Sequence, residues 1–156
     1  MFAVEKPLAT VLLERVAQSE SIVRKLNQIA EQQIPVRFSH VIDPAQAFLA
    51  GVVARNAQKT VWILCPSVRA QDSVYETLLN WIPSAQFLPE AEFAAVENVL
   101  PDPEIAAERL ALLAKIDSQP GPHVIVTTRA SLDQPAPRRG AVPSATLPQR
   151  GVIPAV

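Results

Sequence analysis

Cysteine is nearly missing from this chain: Cys65 stands alone, so no intrachain disulfide can form and no four-cysteine zinc site can be assembled. Glycine is scarce too, with four in 156 residues. Histidine occurs only as His40 and His123, expected at opposite ends of two strands, which argues against a shared metal ion. No charge of one sign dominates: 14 Lys and Arg face 15 Asp and Glu, a net charge of −1, so no overall field draws the chain to nucleic acid or anionic lipid. No apolar run approaches the roughly 18 residues of a membrane span. The opening MFAVEKPLAT has no basic segment followed by an apolar stretch of signal-peptide length, so a cytoplasmic protein with no membrane partner is expected.

What is present is enough to fold. Apolar residues make up 49% of the chain and charged residues 19%, outside the compositional range of disorder, and the length suits one domain. Composition shifts once, near the C-terminus. The 22 residues from Pro135 to Val156 hold five prolines, two glycines and no acid, a pattern that forbids a helix and interrupts a strand ladder. The expected organisation is a leading helical segment over 1–35, an α/β domain over 36–134 and a Pro-rich flexible tail over 135–156.

From Leu8 to Ala30, Val11, Leu12, Val16, Ile22, Val23, Leu26 and Ile29 recur mostly three or four apart, which predicts a helix broken near 18–21. The period then changes. Val36–Val41 alternates like a strand, and Asp43-Pro44 opens a helix to about Asn56. Thr60–Cys65 is a continuous apolar run, expected where a central parallel strand is covered on both faces. Ser67 caps a helix over 68–81, Ala85–Leu88 is a short strand, and a loop runs from Glu90 to Pro101. Asp102-Pro103 starts a helix to Ile116, and His123–Thr128 is the last strand. Strands alternating with helices over short connections predict a three-layer sandwich with a parallel sheet of about four strands.

In such a sheet phosphates favour the first strand-to-helix turn, where free amides meet the helix dipole. Here that turn is Ser39–Ala47. A phosphate loop needs glycines, a lysine and a Ser or Thr for magnesium, and the turn has no glycine and no lysine, with no hydroxyl at the helix start. Asp43 is expected to offer its own carboxylate to the helix amides, and Pro44 removes one donor. The turn at Ser39, His40, Asp43 and Pro44 therefore reads as degenerate, with no bound nucleotide, no cofactor, no metal and no catalytic residue. Trp62, Trp81, Phe87 and Phe93 do not interleave with basic residues, so a base-stacking platform and direct nucleic-acid binding are not expected. Glu90, Glu92, Phe93 and Arg109 are the candidates for contact with another protein, Phe93 as an exposed apolar side chain. An alternative stays open, a small enzyme or nucleotide-binding protein using Cys65, His40 and the carboxylates of the 90–104 stretch. A free-standing α/β interaction domain is a third.

The helix AQAFLAGVVARNA, the strand TVWILCPS, a helix, then FLPEAEF, PDPEIAAERLALLAKI and HVIVTTRASLDQPAP follow one another in an order that resembles the N-terminal domain of bacterial transcription-repair coupling factors, the part similar to the first domain of the excinuclease B protein. The resemblance covers about Val36 to Pro137. Its most specific part is Leu88-Pro89-Glu90 with Glu92, Asp102-Pro103-Glu104, Arg109-Leu110, Leu113 and Thr127-Thr128. It implies a helicase-like fold without a working phosphate loop, in a family whose longer proteins move along DNA using ATP, displace stalled RNA polymerase and recruit the excinuclease A protein. By this resemblance the motor and most partner contacts reside in other domains. The chain itself is then a non-catalytic module that meets neighbouring domains, and reaches the excinuclease A protein, RNA polymerase and DNA only through the longer protein.

Overall fold

Helices and strands alternate through the residues that the computed structural model describes, 7–31, 35–91, 102–119 and 121–136. The expected first helix forms as two, α1 (Leu8–Ala17) and α2 (Glu20–Glu31). Ser19 makes the break. Its hydroxyl donates to the Val16 carbonyl at 2.8 Å, and its own carbonyl accepts the amides of Ile22 and Val23 at 3.0 and 2.9 Å, so one helix is closed and the next opened at a single residue.

The remaining elements are α3 (Asp43–Asn56), β1 (Val61–Cys65), α4 (Val68–Leu79), β2 (Gln86–Phe87), α5 (Pro103–Ser118), β3 (Val124–Thr128) and α6 (Arg129–Asp133). Capping side chains set two of the starts expected from sequence. Ser67 Oγ accepts the Ala70 amide at 3.2 Å, and the Asp102 carboxylate accepts the Glu104 amide at 2.9 Å with Pro103 in the first turn. Thr128 caps α6 in the same way, accepting the Ser131 amide at 3.0 Å.

The sheet is parallel, in the order β1-β3-β2, with Val61 beside Val124, Ile63 beside Val126 and Phe87 also beside Val126. The chain passes from β1 by α4 to the far edge, then returns by α5 to fill the centre. Because parallel crossovers share one hand, reversing the direction of travel puts the two helices on opposite faces. The core has that division. Leu13 of α1, Val52 of α3, Leu78 of α4 and Val126 are all fully buried together on one face, while Ile125 packs with Leu88, Leu112 and Ile116 on the other. Each large aliphatic side chain so buried contributes about 1.5–3 kcal/mol. Gly51 admits the close approach within α3: a Cβ there would lie 3.3 Å from Trp81 Cβ and 3.4 Å from Leu13 Cδ2.

Two expectations change. Among the described residues the sheet has three strands rather than about four, because Val36–Val41 pairs with nothing. The alternation there is real, with Val36 and Phe38 half-buried and Arg37 and Ser39 exposed, but it reports one-sided burial and not a ladder. The segment is instead held by α2: the Lys25 ammonium donates to the Arg37 carbonyl and sits 4.9 Å from the centre of the Phe38 ring. His40 then turns the backbone with φ of 61°, a conformation that a strand does not contain. Secondly, among the described residues β1 is an edge and not the centre. Its Trp62 and Leu64 are 39% and 51% exposed, and the central strand is β3. The leading segment packs into the body, since Leu13 belongs to its core. The expected tail beyond Ala136 and most of the expected 90–101 loop, with its end at Pro101, lie outside the described residues. No helix among the described residues is long and apolar enough to cross a membrane.

Candidate functional site

Two places at the carboxyl ends of the strands bring candidate residues together. The first is a groove of about 690 Å³ between α3, the end of β1 and α4, lined by Asp43, Pro44, Gln46, Cys65, Pro66 and Ser73 among others. Asp43 and Pro44 bring one half of the degenerate turn into it, but the turn is not built as the sequence suggests. With no strand over 36–41, Ser39–Ala47 is a loop entering a helix and not a crossover from the sheet. Ile42 is the N-cap, Asp43 the first helical residue, and no side chain caps α3. The Asp43 carboxylate accepts from the Gln46 side-chain amide at 2.9 Å and leaves the backbone amides alone. Its negative charge still lies in the first turn, where the helix dipole favours it, and Pro44 still lacks an N–H. Ser39 and His40 are exposed.

Cys65 ends β1 and is 5% exposed in this groove. Burial pushes its thiol up from the ordinary value, which reduces the thiolate that a nucleophile needs. His123 lies at the other end of the sheet, its Nε2 at 2.9 Å from the Gln119 carbonyl. Among the described residues no three or more His, Cys, Asp or Glu side chains converge as a metal site would require.

The second place is a polar frame around the end of β2, and here the 88–91 stretch is gripped from four sides. Gln71, on the inner face of α4, donates through Nε2 to the Leu88 carbonyl at 2.8 Å and the Val126 carbonyl at 3.0 Å. Arg109 of α5 is 7% exposed, and its Nη1 donates to the Pro89 carbonyl and to Ser131 Oγ, both at 2.5 Å, while Nη2 donates to the Ser131 carbonyl at 3.1 Å. Ser131 Oγ in turn donates to the Pro89 carbonyl at 2.9 Å. Gln134 closes the set by a reciprocal amide pair with Ala91: its Oε1 accepts the Ala91 N–H at 3.0 Å and its Nε2 donates to the Ala91 carbonyl at 2.6 Å.

No family model matches the chain, and no curated protein or solved structure matches it.

Of the four residues expected to face a partner, Glu90 and Arg109 fall in this frame, and Glu92 and Phe93 lie outside the described residues. Glu90 accepts from Thr128 Oγ1 at 3.0 Å. Burial lowers the Arg109 guanidinium from its ordinary value, and the nearby Glu90 charge opposes that shift. Among the described residues the three hydrogen bonds of Arg109 are internal and organise the frame. Of the other carboxylates in the 90–104 stretch, Asp102 is taken by the α5 cap and Glu104 is exposed on that helix.

Sequence reasoning missed Gln71, Ser131 and Gln134. Gln71 had a visible signal: it shares the apolar face of α4 with Val74 and Leu78, three and seven residues on, and a polar residue on such a stripe needs buried partners. Ser131 follows Thr128 at cap spacing. Gln134 had no signal, because its partner is backbone distant in sequence.

Proposed function

We propose that the chain is a non-catalytic scaffold module of a transcription-coupled DNA repair factor, helicase-like in shape and working by contact with neighbouring domains or repair proteins. The observation that carries the non-catalytic half is the start of α3, where the Asp43 charge in the first turn would repel a phosphate and Pro44 offers it no amide. The frame around Pro89 supports the scaffold half: polar groups at the end of the sheet, where ligands of α/β folds bind, are spent on holding the chain's own backbone. The repair assignment rests on the resemblance of the LPE, DPE and TT segments.

Titration of the chain with labelled ATP and magnesium tests the first half. No saturable uptake is expected up to millimolar nucleotide, and saturable binding in the micromolar range overturns the reading. Co-purification with the excinuclease A protein or with the longer repair factor's own domains tests the second. Association with at least one of these is expected, and none at micromolar concentration removes the assignment.

A further inference from the structure

Leu26, Ile29 and Ala30 of α2 share a groove of about 570 Å³ with Thr60 and Val61 at the start of β1, and Asp43 shares one with Cys65 and Pro66 at its end. The chain between Ala30 and Asp43 therefore travels in the same direction as β1. It travels beside it: a third groove, of about 660 Å³, is lined by Val36, Phe38 and Val41 as well as by Trp62, Ile63 and Leu64. The facing edge of β1 is open. The Val61 amide donates to the His123 carbonyl at 2.8 Å, so Val61, Ile63 and Cys65 turn their backbone groups to β3, and Trp62 and Leu64 turn theirs outward. Among the described residues no backbone hydrogen bond outside the strands reaches these two. The position of α3 also fits a strand on this edge. Passing from such a strand to β1 continues the direction that α4 takes from β1 to β2, and right-handed crossovers then put both helices on one face. Val52 of α3 and Leu78 of α4 do share one buried cluster.

We propose that residues 36–39 are a strap that closes reversibly onto β1 as a fourth, parallel strand and shuts the groove between them. The side-chain pattern sets the register. Val36 and Phe38 are half-buried while Arg37 and Ser39 are exposed, so the first two join Val61 and Ile63 on the α3 face, and Arg37 comes beside Trp62. The Trp62 amide then donates to the Val36 carbonyl, the Phe38 amide to the Trp62 carbonyl, and the Leu64 amide to the Phe38 carbonyl. Lys25 prepares this pairing. Its ammonium draws the Arg37 carbonyl to α2, and successive carbonyls of an extended chain point opposite ways, which leaves those of Val36 and Phe38 for β1. His40, with φ of 61°, ends the strand after Ser39. So short a ladder is offset by the cost of ordering the strap, and the open and closed forms are both populated. The strap thereby controls access to the outward groups of β1.

Disulfide trapping and amide exchange of the full chain test this. In a Cys65→Ala background, Arg37→Cys with Trp62→Cys sets two thiols side by side in the closed register, whereas Arg37→Cys with Leu64→Cys sets them beyond the roughly 7 Å between Cα atoms that a disulfide spans. Under mild oxidation the first pair is expected to cross-link at least about tenfold faster than the second, with circular-dichroism spectra like that of the parent. Exchange of the unsubstituted chain, followed by NMR, is expected to show the Trp62 and Leu64 amides slowed at least about tenfold from free-chain rates, yet faster than the Ile125 amide of the central strand. Equal cross-linking of the two pairs, or none in the folded chain, overturns the proposal. So does free exchange of both amides. Exchange as slow as that of Ile125 also overturns it, because 36–39 is then a permanent strand and not a strap. The exchange measurement needs no substitution, so it decides by itself if a cysteine variant loses its fold.

Discussion

Replacing Arg109 by Met keeps the length and apolar stem of the side chain but removes all three donated bonds, so it isolates the polar work of the frame. Pro89's carbonyl retains the Ser131 hydroxyl at 2.9 Å, whereas the Ser131 carbonyl is left only the Gln134 amide at 3.4 Å. Hydrogen bonds from a charged donor contribute about 1.5–3 kcal/mol each, and the variant recovers part of that by no longer burying a guanidinium. The net expected loss is about 3 kcal/mol, a large share of the roughly 5–15 kcal/mol that stabilises a domain. Urea unfolding followed by the fluorescence of Trp62 and Trp81 reads this directly, and heating gives a midpoint lowered by about 6–12 °C for a chain of this size. Arg109→Lys recovers less than half, since an ammonium has no planar fork to span two acceptors. A loss below about 1 kcal/mol for Met, or a Lys variant as stable as the parent, refutes the role given to Arg109.

Other expectations follow from single residues. His40→Gly raises stability by about 0.5–1 kcal/mol by relieving the left-handed backbone, and His40→Val lowers it by a similar amount, both read by thermal unfolding. Gly51→Val costs about 1–3 kcal/mol, because the new side chain meets Trp81 Cβ and Leu13 at contact distance; an unchanged midpoint contradicts the packing of α1 and Trp81 on α3. Cys65 keeps its proton to higher pH when folded than its ordinary value of 9.0 allows. Its contribution to stability is therefore fully present below that value and lost as pH rises through the folded one. The margin of the parent over Cys65→Ala is flat below about pH 8 and narrows above pH 9, and thiol labelling of the folded chain at neutral pH is slow.

Local rules carried most of the element boundaries. Ser67, Asp102-Pro103 and Asp43-Pro44 mark helix starts through atoms within a few residues of themselves, so those starts were legible. Position within the sheet was not. A run such as Val61–Cys65 reads alike at a centre and at an edge, because the difference lies in whether the strand has one neighbour or two. Val36–Val41 failed for a related reason: half-burial can come from Lys25 and α2 as well as from a ladder. The candidate site was legible in its ingredients, through Glu90, Arg109 and Thr128, but its geometry depends on carbonyls that Gln71, Arg109 and Gln134 reach across 17 to 55 residues.

Of the three strands, the one that holds the sheet together is the last to leave the ribosome. Until Val124–Thr128 has been synthesised, the two earlier strands have no ladder to join, since they never touch each other. A nascent chain stopped at His123 carries Val61–Cys65 and the faces of α3 and α4 with nothing central to close on, and its natural companions are chaperones. The sheet therefore cannot grow strand by strand during synthesis, and arrest experiments that lengthen the chain past Thr128 should register its assembly as one abrupt gain in protease resistance.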